Sequence, residues 1–372
     1  GARPAGGNVD DNGIGDFAYA PPSGYLALCT ANLPTPTIVD GSEHFNTVLW
    51  TGTGATRSVT GFNHTPELLW TKARSNASNH GIIDIVRGTN KLLFADDTSA
   101  EYTQAIIDSF DSDGFTTSSA SSLINLNGYT YAGWGWKAGG TAVSNTDGSI
   151  TSQVSANVDA GFSVVGYTGT GSAGATVGHG LGVTPDLLIM RRRSPAEAWP
   201  VWVGGAGFSN TQYLRLNGTN AVDTATSLFN STTPTSSVVT LGNGNFVNTS
   251  ANDYIMYAFA SVDGYSKAGS YTGNGSTDGT FVYTGFKPAW VMVKRSDGTG
   301  NWIVLDSKRD TYNVTDALLS ANEYAAESVD DKFDFLSNGF KNRDTGSYNN
   351  TSGGTYIYLA FAENPFKYAN AR

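Results

Sequence analysis

Cysteine is almost absent from this chain. Cys29 is the only one among 372 residues, so no intrachain disulfide and no multi-cysteine metal site can form. Basic residues are scarce as well: 22 Lys and Arg stand against 32 Asp and Glu, a net charge of −10. That balance repels a phosphate backbone and disfavours nucleic acid as a partner. The cluster Arg191-Arg192-Arg193 does not reverse this, because alternation along a strand sends neighbours to opposite faces. No apolar run approaches the ~20 residues a membrane-spanning helix needs, and no signal peptide is visible, so membrane insertion is not expected. The four histidines, His44, His64, His80 and His179, show no HxH or HExxH spacing. Neither a GxSxG elbow nor a P-loop occurs. The reading is of a protein with no metal, no cofactor and no assigned catalytic residue.

Glycine is abundant instead, at 45 residues, and aromatics make up 12%. Glycine and asparagine supply positive φ in tight turns, while Thr, Tyr, Phe and Trp suit pleated surfaces. Short apolar runs between such turns predict an all-β protein. The chain also repeats itself. Thr51-Gly-Thr-Gly54, Thr168-Gly-Thr-Gly171 and Thr272-Gly-Asn-Gly275 each follow a strand-like run and precede a proline-led strand. Those strands are Pro66 to Lys72, Pro185 to Arg191 and Pro288 to Lys294. Each unit closes on a strand with two aromatics five apart, read as Tyr129 with Trp134, Tyr254 with Phe259 and Tyr356 with Phe361. Units of roughly 100 residues are domains, since solenoid turns run about 20–50.

The expected organisation is three tandem β-sandwich or jelly-roll-like repeats, each large enough to fold alone. Residues 1–44 form an extension, with Tyr25 to Cys29 as a short strand ended by Pro34 and Pro36. Repeat one covers 45–140, a linker 141–161, repeat two 162–262 and repeat three 263–372. Ala100 to Phe110 is open to a helical turn. Tyr254 to Phe259 is apolar on both faces, which suggests burial on both sides or an interface between copies.

Candidate ligand contacts are few. Trp199 and Trp202 flank Pro200 in an expected loop, and they are the aromatics most expected to be exposed; Trp302 joins them. Exposed aromatics can stack on sugar rings, with Asp and Arg hydrogen-bonding hydroxyls. Asp84 with Arg87 and Asp306 with Arg309, each three apart, suit local ion pairs and are also candidate ligand contacts. Were the chain a glycosidase, Asp84 and Asp306 would be the carboxylates to test first. Asn-x-Ser/Thr triplets occur at nine positions, Asn248 and Asn350 among them, and in so Asn-, Ser- and Thr-rich a chain they are expected by chance.

Several segments resemble a known family. Tyr25-Leu-Ala-Leu-Cys-Thr-Ala-Asn-Leu-Pro34 looks like the last strand of a SPRY or concanavalin-like sandwich in large virion proteins of marine bacteriophages. Tyr167 to Gly171, Gly178 to Gly182, Gly269 to Gly275, Ser337 to Lys341 and Asn364 to Arg372 resemble the tandem β-repeats that follow it there. The resemblance implies a virion-surface protein, tail fibre-like, assembled in the host cytoplasm and released by lysis. Its implied partners are other virion proteins and host-surface polysaccharide, with a homo-oligomer, a trimer by analogy. The first 44 residues would then be the remnant of an upstream sandwich. A purely architectural subunit and a polysaccharide depolymerase are the two alternatives.

Overall fold

The computed structural model describes residues 6–32 and 36–363. Pro34 and the segment Asn364 to Arg372 lie outside the described residues. The chain is all-β, as its composition requires. Three large sheets carry the same strand order: opening, closing, proline-led, third and fourth strand. In the first unit these are Phe45–Thr51, Thr130–Trp136, Leu68–Ala73, Gly81–Asp84 and Lys91–Phe94. In the second they are Phe162–Thr168, Asp253–Phe259, Leu187–Arg192, Pro200–Val203 and Gln212–Arg215. In the third they are Ser266–Thr272, Thr355–Ala362, Pro288–Arg295, Trp302–Asp306 and Thr315–Ser320. A smaller antiparallel layer covers the outer face of each, built on the pairs Arg57–Thr60 with Gly114–Thr117, Thr176–Gly178 with Val238–Thr240, and Phe281–Tyr283 with Gly339–Asn342.

Several local expectations are corrected. Register places Leu68, Leu187 and Trp290 opposite Trp136, Phe259 and Phe361. The equivalent aromatic pairs are therefore Tyr131 with Trp136, Tyr254 with Phe259 and Tyr356 with Phe361; the reading with Tyr129 and Trp134 was two residues out of step. Residues 141–161 are no plain linker, since Val143–Asn145 and Ser152–Asn157 extend the second sheet. Tyr102–Thr103 and Ser109–Asp111 are strands where a helical turn was open. Tyr25 to Cys29 is not a strand, and Leu28 is fully exposed.

The Thr-Gly-x-Gly motif is a turn pinned from below by a buried asparagine. The amides of Thr53, Thr170 and Asn274 donate to the Oδ1 atoms of Asn125, Asn248 and Asn350 at 2.9, 2.8 and 3.0 Å. The same three Nδ2 groups donate to the carbonyls of Ala55, Ser172 and Ser276. A Cβ on the first glycine of each motif, Gly52, Gly169 or Gly273, would come within 2.2–2.5 Å of a facing carbonyl. All three asparagines are fully buried, so Asn248 and Asn350 are turn clamps with engaged amides rather than free acceptors for glycosylation. Asn248→Ala is expected to cost about 1–3 kcal/mol, because it leaves buried donors and acceptors unmade. A urea titration measures this, and a loss below about 0.5 kcal/mol would contradict the clamp.

The inner faces of all three sheets meet in one hydrophobic core. At its centre Trp136, Phe259 and Phe361, one from each closing strand, lie with ring centroids 6.3, 5.8 and 6.1 Å apart. Equivalent residues meeting as a triad define a pseudo-threefold axis. Each outer face has its own separate core. Each unit thus has an inner apolar face that is covered by the other two, which argues against the expectation that each copy could fold alone.

Candidate functional site

The residues expected to touch ligand are instead the parts that join the units. Asp84 and Arg87 pair at 2.5 Å with side chains fully buried. Asp84 Oδ2 also accepts from Tyr257 of the second unit at 2.7 Å. Arg87 reaches Glu101, which Arg193 of the second unit grips through two nitrogens at 2.8 Å each. The seam between the first and third units repeats this. Asp306 and Arg309 pair at 2.6 Å, fully buried, and Asp306 Oδ2 accepts from Trp134 Nε1 at 3.0 Å. Arg309 reaches Glu327, which Arg74 of the first unit grips at 2.9 and 2.7 Å.

The remaining seam, between the second and third units, has none of these ions. Register puts Val203 at the place of Asp84 and Asp306. Ala206 then stands for the arginine and Leu359 for the donor Tyr257 or Trp134. The backbone bond is nevertheless kept: Glu101, Glu327 and Val222 each donate an amide across a seam, to Arg193, Arg74 and Ser296. Carboxylate, arginine, donor and outer ion pair are absent together. That is the physically required outcome, since a buried carboxylate without its partners is far costlier than an apolar contact. The absence of the Asp–Arg pair from the middle copy was legible in the sequence. Its link to Leu359, more than 150 residues away, was not.

A second set of cations was missed, although a signal was present, for each proline-led strand ends in one. Lys72, Arg191 and Lys294 point inward and cap carbonyls of the neighbouring unit. Lys72 Nζ donates to Tyr324 at 3.3 Å, Lys294 Nζ to Asn220 at 2.9 Å and Arg191 to Ser99. Burial lowers both lysines to about 8.

The tryptophans are corrected likewise. Trp199 and Trp302 are fully buried and Trp202 nearly so. Pro200 opens a strand rather than sitting in a loop, a place where proline loses no ladder bond. Trp199 Nε1 donates to Phe94 at 2.8 Å and Trp302 Nε1 to Arg215 at 2.8 Å, both across seams. Trp202 Nε1 donates to Ser209 at 3.0 Å. None of the three presents a face to a sugar. His80 stands where the other units have Trp199 and Trp302, and its Nδ1 accepts from Trp70 Nε1 at 2.9 Å.

Two of the histidines make the fold acid-sensitive. Burial pulls His64 down to about 4 and His80 well below its usual value. The unfolded chain takes up these protons near pH 6.5 and the folded one only at lower pH. The unfolded state therefore binds more protons in that window, and stability falls as pH drops from about 6.5 towards 4. Asp96, raised to about 6 by burial, works in the opposite sense. Burial also lowers His44 and His179 and raises Glu67, so four histidines stand against two carboxylates, and the melting temperature at pH 4.5 is expected to lie below that at pH 7. Equal values would contradict the burial of these imidazoles.

What remains open lies at the seams. At the centre a void of about 20 Å³ is lined wholly by apolar residues, Trp136, Phe259 and Trp290 among them. It is far smaller than a ligand pocket of about 300–1,000 Å³. Between the first and third units a polar cavity of about 390 Å³ is lined by Asp40, Ser42, Asn46, Thr47, Asn63 and Lys308, among others. A shallower crevice of about 300 Å³ lies between the first and second units, beside Arg193 and Asp253. At the apolar seam Gly205 lies against the Ala268 carbonyl, so close that a Cβ there would sit 2.7 Å from that oxygen. Among the described residues no group of three or more His, Cys, Asp or Glu is placed to hold a metal ion.

These features define an all-β protein in which three sheets of one strand order close around a shared aromatic core. Residues 40–365 match the model of a family described as a domain of unknown function, DUF7483, and the chain belongs to that family. One family model thus spans all three sheets and the core between them. No curated protein and no solved structure matches the chain.

Proposed function

We propose that this protein is a bacteriophage structural protein, a tail fibre or appendage subunit exposed on the virion. The observation that carries the reading is the closed pseudo-threefold body, in which one chain builds what three copies of a smaller subunit would otherwise build. The buried polar groups at the seams hold units together, which is the work of a scaffold. An acidic surface without disulfides suits assembly in a reducing cytoplasm. Contact with host-surface polysaccharide is part of the proposal and falls to surface positions other than the tryptophans. Labelling the protein on intact particles and imaging them tests the reading. A position on an outer appendage supports it, and absence from purified particles ends it.

A purely architectural subunit is the second reading. The burial of Trp199, Trp202 and Trp302 favours it, because the aromatics best suited to sugar stacking are used for packing. Binding of the isolated protein to host cells separates the two: adhesion supports the first, and none supports the second. Depolymerase activity draws no support from Asp84 or Asp306, whose carboxylates are engaged by arginine and by a donor from the next unit. Release of reducing sugar from host polysaccharide would nonetheless overturn that judgement.

A further inference from the structure

We infer that the outward face of the strand Phe281–Tyr283 in the third unit binds a neutral glycan, whose pyranose rings stack on Phe281 and Tyr283. The inference rests on the surface-contact reading above and gives that contact a place. The strand alternates. Val282 turns inward to the third unit's own core, while Phe281 and Tyr283 turn outward and are 43% and 57% exposed. Two residues of strand set them about 7 Å apart on one face. The Phe281 ring lies against Gly339, where a Cβ would stand 3.1 Å from it, and Tyr283 lies against Gly285, where a Cβ would stand 3.7 Å from the phenol oxygen. Both rings therefore lie along the surface. Lys267 steadies the second: its Nζ donates to the Tyr283 carbonyl at 3.1 Å and sits 5.3 Å from the ring centroid.

The fold does not need these rings. Register pairs Phe281 with Lys341, Val282 with Phe340 and Tyr283 with Gly339. In the first unit the same places hold Ser58 with Thr116, Val59 with Phe115 and Thr60 with Gly114. Its outward face is hydroxylic, and Ser58 bonds Thr116 at 2.8 Å. In the second unit the places hold Thr176, Val177 and Gly178. There the chain covers the face itself: the Ser149 amide donates to the Thr176 hydroxyl at 2.8 Å, the Thr176 amide to the Ser149 hydroxyl at 2.9 Å, and a Cβ on Gly178 would collide with Asn145. The inward valine is common to all three units. The outward aromatics belong to the third alone, and on a solvated face they bury little apolar surface in return.

Size and charge decide the occupant. Two half-exposed rings offer roughly 200 Å², far below the ~800 Å² that each side of a standard protein interface presents. The charges beside them are already matched, Lys341 with Asp278 and Arg343 with Asp334, while Lys267 is held on Tyr283. Little is left for an ionic ligand. What the face offers is two π surfaces for the C–H face of a pyranose, with the Tyr283 hydroxyl and the exposed Asp278 beside them for ring hydroxyls.

The test runs the full chain through native gels holding a neutral β-glucan, a mannan or a galactan, at low and high salt. At least one polysaccharide should retard it, equally at both salt concentrations. Tyr283→Thr should weaken binding about tenfold, the size of one lost stacking partner. Phe281→Ser combined with Tyr283→Thr copies the first unit, so it should abolish retardation and leave the melting temperature unchanged. Tyr312→Ser removes an exposed tyrosine elsewhere and should be retarded like the native chain. Passage through all three gels without retardation, retardation that salt removes, or retardation kept by the double variant would overturn the site. Conversion of an oligomer into a monomer by the double variant would assign the face to a second copy instead. Position on the particle is measured separately, so a protein displayed on an appendage that none of the three retards loses the site and keeps the scaffold.

Discussion

Arg309→Ala is expected to lower stability by about 3–5 kcal/mol, the usual consequence of stranding a buried charge. Arg309 is fully buried with Asp306 and also bonds Glu327 and the carbonyls of Val304 and Ala317. Its loss leaves a carboxylate in the core with only Trp134 Nε1 and backbone amides for company. The molecule itself shows how the cost is avoided, since the apolar seam has Val203, Ala206, Leu359, Val222 and Ser296 in the matching places. A variant carrying Asp306→Val, Arg309→Ala, Trp134→Leu, Glu327→Val and Arg74→Ser copies that seam. It should recover a substantial part of the loss, less what the smaller leucine forfeits in packing. Denaturant midpoints measure both. A loss under about 1 kcal/mol for Arg309→Ala would mean that the seam does not hold the units together.

Trp136→Ala should be at least as damaging. Removing a large buried aromatic costs about 3–5 kcal/mol through lost transfer energy and the cavity left behind. Trp136 touches Phe45 of its own unit, Phe259 of the second, and Trp290 and Phe361 of the third. The second expected result is therefore spatial. Amide exchange should quicken in the closing strands Asp253–Phe259 and Thr355–Ala362 as well as in Thr130–Trp136. Faster exchange confined to the first sheet would show that the three do not share one core. For the same reason residues 162–262 expressed alone should not form a stable monomer, because their inner face would be left uncovered.

Particular residues show how much of this could be read in advance. The spacing of Asp84 with Arg87 and of Asp306 with Arg309 announced ion pairs, and ion pairs are present. Their burial beneath Tyr257 and Trp134 was not legible, because nothing local marks a partner about 170 residues away. The two-sided apolar character of Tyr254 to Phe259 pointed to an interface, since a strand with a solvated face would alternate. Trp199 and Trp202 misled because Pro200 suggested a loop, while the structure uses it as the first residue of a strand. The polar cavity between the first and third units had no signature at all. Its walls come from segments some 260 residues apart, and each is ordinary Ser, Thr and Asn sequence by itself.

Alternation, turn chemistry and composition act over a few residues, and they alone determined that this chain is all-β, acidic, free of disulfides and built on a recurring Thr-Gly turn. Tertiary structure decided that the sheets close on one another, that two seams carry buried Asp–Arg pairs and the third does not, and which polar groups are engaged across them. These depend on burial, and burial is a property of what lies opposite a residue in space rather than of what lies beside it in the chain.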